Sequence, residues 1–217
     1  SDKTAPEDVY SLITLAEKVR DEPEFVTLEF INGVPVKING ESLQPVKLVE
    51  ELNEIGSKNG VGMFDFMEER GIGVKVREIH ESPAAEMLIK SHIDLEELTL
   101  TKEELRLKRI LELEWVNEVL NGFWFTPFVN AMNAFIDELN KRVTGSIKLK
   151  LYKGKAVVVE RRSPYALDFM NLINTGFIKE VNQKATPAFI EVNGLQRRAS
   201  HLMAGKAEND ELKKPKV

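Results

Sequence analysis

Cysteine is absent from the 217 residues. That one absence excludes disulfide frameworks, thiolate nucleophiles, iron–sulfur clusters and the common structural zinc sites. No apolar run approaches the roughly 20 residues that a membrane-crossing helix needs, and no basic-then-apolar leader opens the chain. A soluble protein without membrane insertion is therefore expected, with its compartment left open. Positive charge is not in excess either: 30 Lys and Arg stand against 35 Asp and Glu, a net −5. Such a balance does not recruit phosphate backbones, so nucleic acid is not an expected partner. His80, His92 and His201 lack the short spacings of metal ligands, and no metal is expected. Neither Gly60-Val-Gly62 nor Gly71-Ile-Gly73 follows a strand and opens a helix, so the chain shows no phosphate cradle. The chain begins at Ser1 rather than Met, which points to a processed or partial polypeptide.

What remains is an ordinary globular composition, 42% hydrophobic and 30% charged, long enough to bury a core without staples. Residues 1–24 are polar, with Val9, Tyr10, Leu12, Ile13 and Leu15 as apolar anchors, and read as a loosely docked arm. Glu24–Ile31 and Val34–Ile38 flank Asn32-Gly33, a hairpin signal. Pro45 followed by Val46, Val49, Leu52 and Ile55 predicts an amphipathic helix closed by Gly56. Gly60–Ile79 is punctuated by glycine and rich in Val, Ile and Phe, which predicts strands joined by tight turns.

Three helices are expected next. One follows Ser82-Pro83. The second has Thr101 and Glu104 as a capping box ahead of Leu105, Leu107, Ile110, Leu111, Trp115 and Val116. The third has Thr126 as cap and Pro127 behind it. Their apolar stripes predict core packing, and the aromatic cluster Phe123, Trp124, Phe125, Phe128 reads as core rather than as a partner's anchor. Thr144–Glu160 alternates sharply around Gly154, a second hairpin. Its basic stripe Lys148, Lys150, Lys153, Lys155, Arg161, Arg162 has no interleaved aromatics and reads as one solvent face. The expected fold class is α+β: a mixed or antiparallel sheet with hairpins, packed by several amphipathic helices. The expected organisation is an arm at 1–24, a main domain at 25–166, a carboxy-terminal arm at 167–204 and a disordered charged tail at 205–217.

Longer strings then carry a resemblance. Glu29-Phe-Ile-Asn-Gly-Val-Pro-Val36, Leu52-Asn-Glu-Ile-Gly56, Asn59-Gly-Val-Gly62 and Arg77-Glu-Ile-His-Glu-Ser-Pro83 are among them. Gly122-Phe-Trp-Phe-Thr-Pro127, Leu149-Lys-Leu-Tyr-Lys-Gly154, Arg162-Ser-Pro-Tyr165 and Ile190-Glu-Val-Asn-Gly-Leu195 continue the series. In order and spacing they resemble the carboxy-terminal synthetase and oligomerisation domain of the argininosuccinate synthase family. That resemblance implies an α+β domain completing a citrulline and aspartate site, followed by an arm that embraces neighbouring subunits. It also implies ligation driven by ATP, held on a Ser-Gly-Gly-Leu-Asp-Thr-Ser loop of a preceding domain. That loop does not occur in these residues, so no cofactor is expected on this chain, and ATP only if such a domain is present.

Matched residue by residue, the family's citrulline-binding Glu falls on Glu68 and its citrulline-contacting Tyr on His80, with Arg70, Arg77 and Glu81 kept as support. Departures gather nearby: Met63 for Arg, Glu69 for Asn, Glu78 for Gly, and Ala85-Glu86 for a small-residue pair. They add negative charge to a site that should accept an adenylated intermediate and aspartate. The resemblance therefore implies no catalytic residue here. Its first expectation is a noncatalytic structural subunit in a homo-oligomer or larger hetero-assembly, with citrulline as a possible ligand. The alternative is the carboxy-terminal part of a working synthase.

Overall fold

The computed structural model describes residues 2–168, 170 and 183–212, which fall into two units divided after Asp168. The first unit holds a five-stranded antiparallel sheet of order β3-β2-β1-β6-β7 and a separate two-stranded sheet, β4-β5. The strands are β1 (Glu24–Ile31), β2 (Val34–Ile38), β3 (Glu41–Ser42), β4 (Met63–Glu69), β5 (Lys75–Glu81), β6 (Gly145–Tyr152) and β7 (Lys155–Arg162). Helices α1 (Pro45–Lys58), α2 (Pro83–Thr99), α3 (Lys102–Leu120) and α4 (Pro127–Asn140) complete this unit. The fold class is α+β, as the pattern predicts.

Local chemistry sets these boundaries. Asn32 and Gly33 both take positive φ, 51° and 78°, the two-residue turn whose twist suits a tight hairpin. The Thr101 hydroxyl accepts from Glu104 N–H while the Glu104 carboxylate accepts from Thr101 N–H, the reciprocal cap that the spacing predicts. Thr126 likewise caps α4, accepting from Val129 N–H.

The core lies on one face of the larger sheet. Val26, Leu28 and Phe30 of β1 and Ile147, Leu149 and Leu151 of β6 point inward at period two. Leu48 and Leu52 of α1 and Met87 and Leu95 of α2 close over them. Each such side chain contributes about 1.5–3 kcal/mol on burial.

The amino-terminal segment docks through buried Ile13 and Val19 and through Thr14 N–H, which donates to Ser57 O at 3.0 Å. Three features differ from the pattern reading. Helix α3 covers the core only in part, through half-buried Leu105. Its one buried residue is Lys108, while Ile110, Leu113 and Leu120 stand exposed. The aromatic cluster is not core either, since Phe123, Trp124 and Phe128 are about half exposed and Phe125 is 93% exposed. Periodicity records that a helix carries apolar residues, not what covers them. The basic stripe also divides between two faces. A register shift at Lys148/Leu149 sets Arg161 opposite inward-facing Ile147, from where it pairs with Asp94 of α2, whereas Lys148 pairs outward with Glu160.

Helix α5 (Thr186–Leu212) carries exposed Phe189, Val192, Leu195 and Leu202. It continues to Leu212. Ala, Glu, Lys and Leu there are good helix formers, and residues 213–217 lie outside the described residues.

Candidate functional site

The residues singled out by sequence gather on the β4–β5 hairpin. Its register pairs Phe64 with His80, Phe66 with Glu78 and Glu68 with Val76. Directly opposed residues share a face, so these six form one side. Met63, Asp65, Met67, Glu69, Lys75, Arg77, Ile79 and Glu81 form the other. Glu68 and His80 thereby share a face, four positions apart along the ribbon, whereas Arg77 and Glu81 are turned away from them.

On the first face, Arg70 leaves the turn after β4 and forms ion pairs with Glu78 and, at 3.9 Å, with Glu68. His80 Nε2 lies 3.8 Å from Glu78, and its ring meets Phe66 edge-on at 5.1 Å. Glu78 thus sits between a guanidinium and an imidazole. Sequence reading treats Glu78 only as an added charge; its place between Arg70 and His80 follows from the register. With two carboxylates and one guanidinium, the face favours a cationic group such as an amino acid's α-ammonium, for which Glu68 is the available acceptor. Arg70 competes for that same carboxylate.

Beside this face a groove of about 520 Å³ is lined by Phe64, Ser82, Ala85, Glu86, Ile89 and Lys90 among others. One wall runs along α2 from Ala85 to Glu97, and at the start of that helix Ala84 N–H donates to Asn53 Oδ1 at 3.0 Å. Glu86 in the first turn occupies the helix end that would otherwise draw an anion.

The opposite face packs the amino-terminal segment. Arg77 grips Asp65 through two hydrogen bonds, which hold the Asp65 carboxyl below the usual range. Burial works to raise the Glu81 carboxyl, but hydrogen bonds from Ser11, Ile13 and Leu12 outweigh it and keep the group low. Among the described residues no three His, Cys, Asp or Glu side chains are grouped to hold a metal ion.

The model of the Arginosuccinate synthase C-terminal domain matches residues 1–200. The chain belongs to the argininosuccinate synthase family. It is 45% identical over 205 residues to the argininosuccinate synthase of Caldanaerobacter subterraneus subsp. tengcongensis, covering 94% of this chain and 50% of that protein. The argininosuccinate synthase of Archaeoglobus fulgidus is 46% identical over 193 residues, 89% of this chain and 49% of its own length. That of Pyrococcus furiosus is 44% identical over 191 residues, with 88% and 47% covered. The chain therefore spans about half the length of the curated relatives it matches, the part that corresponds to the synthase carboxy-terminal domain. The argininosuccinate synthase domain model ends within α5, so hairpin, core and most of that helix all lie inside the matched region.

Proposed function

We propose that this chain is a self-associating structural portion of an argininosuccinate synthase-type assembly, noncatalytic in itself. The observation that carries this reading is the number of large apolar side chains exposed along α3 and just after it: Leu107, Ile110, Leu113, Val116 and Leu120, then Phe123 and Phe125. Apolar exposure on this scale is costly in water and supports a surface that another protein covers. The noncatalytic part of the reading is supported by the hairpin. Glu78, standing where the family has a glycine, takes up the Arg70 guanidinium and lies against His80, which occupies the place of a citrulline-contacting tyrosine. Two measurements test it. Light scattering at tens of micromolar should give a mass that is a multiple of 24.6 kDa; a monomer at that concentration refutes self-association. Mixing the chain with a separately supplied ATP-binding half, citrulline and aspartate should yield no AMP, and citrulline-dependent AMP formation refutes the noncatalytic role.

A second reading, the carboxy-terminal part of a working synthase, is favoured by Glu68. Its side chain is 40% exposed on the open hairpin face, where it could hold citrulline's α-ammonium while ATP is bound by a preceding domain. Calorimetry with citrulline tests this directly, and absence of heat at millimolar ligand removes it.

A further inference from the structure

The β4–β5 hairpin has only two strands, and such a ribbon is marginal in water by itself. What holds it in place is therefore a separate question from what pairs its strands. At its base, Ser82 N–H donates to Gly62 O at 2.8 Å. Its remaining described hydrogen bonds to other parts of the unit run to the amino-terminal segment, and all but one of them converge on a single side chain. Glu81 Oε1 accepts from Leu12 N–H at 3.0 Å and from Ile13 N–H at 2.7 Å, while Oε2 accepts from Ser11 N–H at 2.9 Å and the Ser11 hydroxyl at 3.2 Å. Three consecutive amides aimed at one carboxylate form an anion nest. Bonds of this kind to an ionised acceptor are roughly twice as strong as neutral ones.

The segment that supplies those amides is itself fixed to the body. Ile13 and Val19 are buried, and Thr14 is bonded to the end of α1. A second tie runs alongside: Arg77 braces Asp65 across the two strands and donates to Lys3 O. Between segment and hairpin lies a cavity of about 310 Å³ lined by Thr4, Tyr10, Leu15, Met63, Asp65 and Arg77 among others. The segment is thus a bracket, one side on α1 and the other on β5.

Position in the strand gives the bracket its consequence. Glu81 follows His80 directly and lies opposite Met63, the first residue of β4. It is at the pivot of the hairpin, on the face opposite His80, so a shift of backbone there swings the whole Glu68–Glu78–His80 face. We propose that Glu81 is a positioning residue: by latching Ser11–Ile13 onto β5 it fixes the direction in which the hairpin presents Glu68, Glu78 and His80. The latch rests on geometry alone; its relevance to ligand rests on the second reading above, of that face as an amino-acid site.

Amide hydrogen exchange and histidine NMR on the full chain test it. In Glu81→Ala, the Leu12 and Ile13 amides should exchange about tenfold faster, and the hairpin amides of Phe64–Glu68 and Val76–His80 should follow by a similar factor, with β1 and β6 unchanged. The His80 ring resonances should move as its contact with Phe66 loosens, while those of His92 stay. If Glu81→Ala does not fold, Glu81→Gln, which keeps one acceptor oxygen, carries the same comparison at about threefold. Faster exchange confined to residues 11–13, with the hairpin and His80 unmoved, overturns the latch. Citrulline is titrated in parallel. Hairpin loosening in the variant together with no citrulline binding by the unsubstituted chain supports the latch and removes only the amino-acid site.

Discussion

Lys108 of α3 and Glu96 of α2 place their charged ends 2.9 Å apart with almost no solvent on either side chain. Glu96 also meets His92 Nδ1 at 3.0 Å, and Lys108 also pairs with Glu112. This network is the fully buried contact of α3, set beside half-buried Leu105, which packs against the core. Removing Lys108 leaves the buried Glu96 carboxylate with only His92, and removing Glu96 leaves the buried Lys108 ammonium with only the more exposed Glu112. Lys108→Ala or Glu96→Ala should therefore cost about 3–5 kcal/mol. The pair Glu96→Leu with Lys108→Met should cost clearly less than the sum of its singles. Urea unfolding of the unsubstituted chain, the two alanine variants, Glu96→Leu, Lys108→Met and their combination checks this, and additive losses in the Leu/Met cycle would show that the two groups do not interact.

The same pair fixes a pH dependence. Burial works to raise the Glu96 carboxyl, but hydrogen bonds from His92 and Lys108 prevail and hold it below the usual range. A carboxyl lowered by folding contributes stability above its unfolded value, and that contribution is lost as pH falls through the folded one. Thermal midpoints should hold from neutrality down to the usual carboxylate range and drop below it, with a shallower drop in Glu96→Gln. Lys108 is shifted upward, its own burial being outweighed by Glu112 and Glu96, so its share is present below the ordinary lysine value and lost only in strong alkali. An acid profile unchanged in Glu96→Gln would remove this assignment.

Much of this architecture is legible in the residues. Asn32-Gly33, the Thr101–Glu104 box and the Thr126-Pro127 start each act through chemistry local to a few positions, and each is where the spacing puts it. The orientation of α3 is not legible, because an apolar stripe looks the same whether it faces a core or a partner; a lysine as its buried residue runs against every base rate. The candidate site is readable in part. Glu68 and His80 follow from resemblance, but placing Glu78 between Arg70 and His80 requires the β4–β5 register. Parity within β5 alone already separates Arg77 and Glu81 from Glu78 and His80.

The exposed face of α3 makes a prediction about surface rather than stability. Leu113 and Leu120 are 74% and 81% exposed, so Leu113→Glu with Leu120→Lys should alter the folding free energy of the isolated chain by no more than about 0.5 kcal/mol each. If the face is covered in an assembly, the same change should lower the sedimenting mass to that of a single chain. An unchanged mass would place any association elsewhere.

Gly62 supplies the last prediction, because it stands where the hairpin leaves the body. Its φ is +96°, and an added Cβ would lie 2.5 Å from both the backbone nitrogen and the Cα of Pro83. Those atoms belong to the first residue of α2 and cannot rotate aside. Gly62→Ala thus combines a left-handed strain of about 1–2 kcal/mol with a backbone collision, which only separation of β4 from the start of α2 can relieve. The bond from Ser82 N–H to Gly62 O should lengthen as a result. The expected outcome is a loss above about 2 kcal/mol in urea unfolding, with faster amide exchange at Ser82. By contrast Gly71, at the far turn of the same hairpin, has open space around its Cβ position and a φ outside the left-handed range. Gly71→Ala should be nearly neutral, and equal losses at the two positions would show that the base of the hairpin is not where its packing is tight.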